Sequence, residues 1–151
     1  MEIKMTVNAN RRSAMASNKV PVAPGRSPVT WWRSIAAPNF HVMVLGAMQA
    51  AVERVEMLDE PLWREAVAGD ATAAAAMALL IDFRTVWPGK LDLVMTALVI
   101  NACDGDAAAC VVLSNVIRRV PGAGKREARI ATSWLMRAFR PFADRHESLR
   151  G

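Results

Sequence analysis

From Phe40 onward the apolar positions recur with a helical period. Phe40, Val44, Ala47, Met48, Ala51 and Val55 fall at i, i+4, i+7, i+8, i+11 and i+15, while Glu53, Arg54 and Glu56 lie off that stripe. The pattern predicts a first helix ending near Leu58. Asp59-Glu60-Pro61 then opens a short second helix, over about 62–68, with Pro61 in the first turn, where its missing N–H costs nothing. Gly69-Asp70 predicts a tight turn with Asp70 as N-cap. A third helix follows through Ala74, Met77, Leu80 and Ile81 to about Arg84, and Pro88-Gly89 ends the connection after it. The fourth helix, over about 91–103, is apolar nearly all round, which predicts contact on both sides. Gly105-Asp106 repeats the earlier turn. A fifth helix carries Cys110, Leu113, Val116, Ile117 and Val120, and Pro121 to Gly124 form a loop. The sixth helix, over about 126–140, is expected to stop before Pro141. Alternating β-branched runs and Asn-Gly hairpin turns are missing. The expected fold is therefore all-α: about six helices in antiparallel hairpins, stacked as a short α-solenoid or bundle.

Residues 1–38 do not share this periodicity. Pro21, Pro24, Gly25 and Pro28 punctuate them, which predicts a flexible, disordered N-terminal arm, then a helical domain over 39–141 and a fraying tail over 142–151. Trp31-Trp32 interrupts the arm. An exposed Trp pair is costly, so the pair is expected to dock, most simply on the chain's own helices. The sharper expectation makes Trp31 and Trp32 a docking motif for a partner or a membrane interface.

Charge changes this picture more than composition does. The 151 residues carry a formal charge of +5. Residues 1–39 hold six basic groups and one acid, residues 40–115 four basic groups and ten acids, and residues 116–151 nine basic groups and three acids. The order basic, acidic, basic permits contact with nucleic acid or a membrane surface, or association of unlike faces. At about 100° per residue, Arg126, Arg129, Arg137 and Arg140 fall within about 80° on the sixth helix. They form either a solvated basic face or a stripe for nucleic-acid phosphates or an acidic partner.

The two Gly-Asp turns are 36 residues apart. With Gly69 placed over Gly105, Ala66 falls on Ala102, Ala73 on Ala109, Ala74 on Cys110, Met77 on Leu113 and Ile81 on Ile117. A period of this length marks helical-repeat architecture. The pattern resembles the Sel-like branch of the tetratricopeptide superfamily, A-x-x-G-[DN]-x-x-A-x-x-x-L, then G-x-G, then A-x-x-W. Ala102, Gly105, Asp106 and Ala109 match its first part, Gly122 and Gly124 its loop, and Ala131 and Trp134 its close. An earlier partial copy runs from Trp63 through Ala66 and Gly69-Asp70, so the resemblance covers roughly residues 62–139. It implies a scaffold that binds partners along a concave surface, with the first and sixth helices as end caps. In some secreted Sel-like proteins cysteines tie the two helices of a repeat together near the position of Cys103 and Cys110. The plainer expectation is two small buried thiols in a reducing compartment.

Catalytic chemistry is poorly represented. His41 and His146 are the histidines, and no H-x-x-x-H, H-E-x-x-H or C-x-x-C spacing occurs, so no metal site is expected. Gly122-Ala-Gly-Lys125 lacks the rest of a phosphate loop, because Arg126 follows the lysine and no strand precedes it. Asp59-Glu60, and Asp104 with Asp106, sit at helix starts, where acids favour the dipole. No apolar run reaches membrane-spanning length. The expectation is a cytoplasmic, cofactor-free, non-enzymatic protein-interaction or regulatory module, working through its repeat surface and the Trp-containing arm. The alternative is a nucleic-acid-binding accessory protein using the arm and the arginine stripe. A membrane-peripheral role for Trp31 and Trp32 ranks third.

Overall fold

A computed structural model describes residues 26–148, with side chains from 26 to 140. Every regular element among them is helical. Two 3₁₀ turns, η1 (Pro28–Arg33) and η2 (Ala37–Asn39), precede six α-helices. These are α1 (Val42–Glu53), α2 (Trp63–Val67), α3 (Ala71–Leu79), α4 (Pro88–Cys103), α5 (Ala107–Arg119) and α6 (Lys125–Ser148). Among the described residues no helix is long and apolar enough to cross a membrane.

The Gly-Asp repeat is real at the level of backbone geometry. Gly69 and Gly105 adopt φ of +107° and +108°, a conformation an L side chain rarely takes. Each glycine N–H reaches back to the aligned alanine carbonyl, Ala66 at 3.4 Å and Ala102 at 3.3 Å. The Asp70 carboxylate then accepts from the Thr72 and Ala73 amides, and the Asp106 carboxylate from Ala109. Those bonds satisfy orphan donors at the starts of α3 and α5. All five aligned pairs are buried at both copies. Gly69→Ala and Gly105→Ala are each expected to cost about 1–2 kcal/mol through backbone strain alone, since nothing stands near either added methyl. Urea unfolding checks this, and a loss below about 0.5 kcal/mol at both sites would contradict it.

Helix α4 is the centre of the molecule. Leu91 through Val99 are all buried, and α1, α2, α3, α5 and η1 pack against the helix. The all-round apolar pattern thus reflects contact on every side. Its buried polar groups are paired. The Asn101 amide donates to the Ala66 carbonyl at 3.0 Å and the Ala97 carbonyl at 2.9 Å. The Thr96 hydroxyl meets the Val29 carbonyl at 2.9 Å.

Several boundaries differ from expectation. The first concerns the arm, whose residues 1–25 lie outside the described residues. Residues 26–38 are not an arm: η1, η2 and the link between them carry Trp32, Ala37 and Ile35 into the core. The Ala37 amide donates to Ser133 Oγ at 2.9 Å, and Phe40 packs at a tilt against Trp134 with ring centroids 5.3 Å apart. The apolar period was missing here because a 3₁₀ strap buries single residues at irregular intervals. Second, α1 ends at Glu53, before Leu58. There the Val55 amide turns back to the Val52 carbonyl at 3.1 Å, and the Val55 carbonyl accepts from the Trp63 indole N–H at 2.8 Å. Third, α6 runs through Pro141 to Ser148. Proline forfeits one bond to the preceding turn, and here that loss does not end the helix. The tail expected over 142–151 is thus helical as far as Ser148, and residues 149–151 lie outside the described residues. Pro88, read as loop, is the first residue of α4.

Candidate functional site

The strongest candidate is a cleft at the end of α3 and the start of α4. Its far wall is the connection between α1 and α2. Asp82 shapes the near wall. Its carboxylate accepts from the Arg84 amide at 2.9 Å and the Thr85 hydroxyl at 3.3 Å, and its carbonyl accepts from the Val86 amide at 2.9 Å. That turn delivers Trp87 to the first turn of α4. Pro88 forces extended backbone on the residue before it, and Trp87 has φ −75° and ψ 145°.

The Trp87 ring then lies on Gly89. A methyl at position 89 would sit 1.8 Å from the ring carbon Cζ3. Gly89 is therefore the residue that lets the indole settle, although glycine inside a helix costs about 1 kcal/mol relative to alanine. The ring is seated yet remains 57% exposed. Leu80, beside it on the rim, is 80% exposed. Met77, Ile81 and Val94 form the apolar floor, and the cleft holds about 480 Å³.

Acids edge this apolar surface. Lys90 forms an ion pair with Glu60 and lies 3.8 Å from Asp59. The hydrogen bond to Glu60 holds the Lys90 ammonium above the usual lysine range, so it stays charged. Asp59 and Asp82 are exposed. On the other side of the same connection lies a second cleft of about 490 Å³, whose lining includes Glu53, Glu56 and Leu58, the last 91% exposed. Glu56 is 3.5 Å from Arg64.

The residues singled out from sequence lie elsewhere. Trp32 is 1% exposed and has no free face for a partner. Its indole N–H donates to Asp92 Oδ1 at 3.0 Å, and Arg33 Nε reaches the same oxygen at 2.9 Å. The Arg33 guanidinium also lies 4.4 Å from the Trp32 ring centroid. Trp31 is half-buried against the core, and its indole nitrogen is buried without a hydrogen-bond partner. Together they form a strap on α4, with Trp32 in the core. The arginine stripe is interrupted. Arg126, Arg129 and Arg140 are exposed, but Arg137 is half-buried and donates to the Cys103 carbonyl at 3.0 Å, at the negative end of α4. Ser133, between Arg129 and Arg137, receives η2.

Cys103 and Cys110 are free thiols. Burial pushes Cys103 up to about 11 and raises Cys110 as well, so both stay protonated at neutral pH. Among the described residues no group of three or more His, Cys, Asp or Glu could hold a metal ion.

Sequence reasoning missed both Asp92 and Trp87. Asp92 carried a signal, a lone acid inside the apolar run from Leu91 to Val99. Trp87 carried one too, since a tryptophan before Pro-Gly at a helix start has an unusual reason to be there. No protein-family model, curated protein or solved structure matches the chain.

Proposed function

We propose that this protein is a non-catalytic protein-interaction module whose binding face is the cleft rimmed by Leu80 and Trp87. The observation that carries the reading is an indole held in place by a glycine and left largely in water. Seated aromatic rings of this kind are the usual anchors of protein interfaces, because little side-chain freedom is lost on binding. The resemblance to Sel-like repeats supports the same reading. Both Gly-Asp turns share one backbone geometry, and the stacked hairpins provide a rigid support for the rim. The four arginines of α6 support a nucleic-acid reading less well, because Arg137 is engaged with Cys103.

The double variant L80A/W87A separates binding from folding. Both side chains are exposed, so its unfolding free energy is expected to stay within about 0.5 kcal/mol of the parent. Quantitative co-precipitation from cells that express the protein is expected to lose a specific partner. An unchanged set of co-precipitated proteins would overturn the proposal.

A further inference from the structure

Resting on that reading, we infer that the cleft takes a basic amphipathic segment of a partner protein: a large apolar side chain flanked by Arg or Lys. The floor of Met77, Ile81 and Val94 and the exposed Leu80 on the rim supply the apolar half of the match. The charge around it is negative. Asp59 and Asp82 stand exposed on opposite walls. Lys90, the cation in the lining, is already paired with Glu60 and near Asp59, so it has little to offer an incoming anion. Helix α3 ends at Leu79, next to the lining residues Leu80 and Ile81, so the negative end of its dipole lies beside the cleft. Beyond the shared wall, Glu53 adds to the field, while Glu56 is paired with Arg64.

Trp87 completes the selection for a cation. Its ring packs on Gly89 and leaves much of the indole accessible, which suits a guanidinium stacked on an aromatic face. The fold already uses that contact internally, with Arg119 5.6 Å from the Phe83 ring centroid and Arg33 over Trp32. A partner with carboxylates beside its apolar anchor would meet Asp59 and Asp82 instead, without a free lysine to relieve them.

Two labelled synthetic peptides test this on the full chain. They share one spacing of leucines, with arginines flanking the leucines in one and glutamates in the other. Fluorescence anisotropy is expected to show the arginine peptide binding at least about tenfold more tightly, with the advantage shrinking as salt is raised. D59N/D82N is expected to abolish the preference while leaving weak apolar binding, since asparagine retains an acceptor for the Arg84 amide. W87A is expected to weaken the arginine peptide about tenfold. G89A is expected to do the same by displacing the ring, in a variant whose helix propensity is improved. Equal binding of the two peptides, or binding indifferent to both W87A and G89A, would overturn the inference. So would self-association that W87A abolishes, because the occupant would then be a second copy. If co-precipitation depends on Leu80 and Trp87 while neither peptide binds, the interaction module stands and the basic partner falls.

Discussion

Trp32→Ala is expected to destabilise the protein by about 3–5 kcal/mol, the usual cost of truncating a fully buried tryptophan. The side chain is 1% exposed and lies in the main core, although it comes from a segment without regular apolar periodicity. The variant loses the indole's contacts and also strips Asp92 of one donor. Chemical denaturation followed by circular dichroism measures the loss. A cost below about 1 kcal/mol would mean that η1 is not part of the cooperative core. Trp87→Ala, at an exposed ring, provides the contrast within the same residue type.

Asp92→Ala is the second large effect. Asp92 accepts from Trp32 and Arg33 through one oxygen, and its side chain is 12% exposed. Removing one partner of a buried ion pair costs about 3–5 kcal/mol, because the other charge is left uncompensated. The Arg33 side chain is 36% exposed, so water recovers part of its solvation. The expected loss is therefore about 2–3 kcal/mol, in the range for a charged group deprived of its hydrogen bonds. Asp92→Asn retains an acceptor for the indole N–H and is expected to lose less. The two sites touch, so a double-mutant cycle between W32A and D92A is expected to show coupling of about 0.5–3 kcal/mol. Additive losses would show that the bond between strap and helix carries no energy of its own.

These two residues also show where reading the chain stops. The helices, the Gly-Asp turns and the centrality of α4 follow from signals contained within a few residues. An apolar stripe sets a period, a glycine accepts positive φ, and an aspartate caps the next helix. Those rules need no knowledge of the rest of the molecule. The strap escaped them, because Trp32 and Asp92 are 60 residues apart and neither has a meaning without the other. Trp31-Trp32 did signal a need for burial, and the strap meets it. The arginine stripe shows the same limit from another side. Four arginines share one side of a helix by simple geometry, yet one of them caps α4 and a serine among them receives η2.

The candidate site was the least legible part. Trp87-Pro88-Gly89 reads as a loop when glycine and proline are taken as breakers. In the fold Pro88 starts a helix, and Gly89 makes room for a ring. Which apolar side chains remain uncovered depends on how all the elements meet, and Leu80 looks like any other residue of an apolar stripe.

The amino-acid sequence alone determined that this protein is helical, that its hairpins repeat about two Gly-Asp turns, and that α4 is enclosed. Those properties follow from short-range sterics, capping and periodicity. Only the tertiary structure decided that Trp32, Ile35 and Ala37 belong to the core, that Arg137 serves the fold, and that an indole stands exposed beside an acidic cleft. Burial, pairing and exposure are relations between distant segments, and they come into being only when those segments meet.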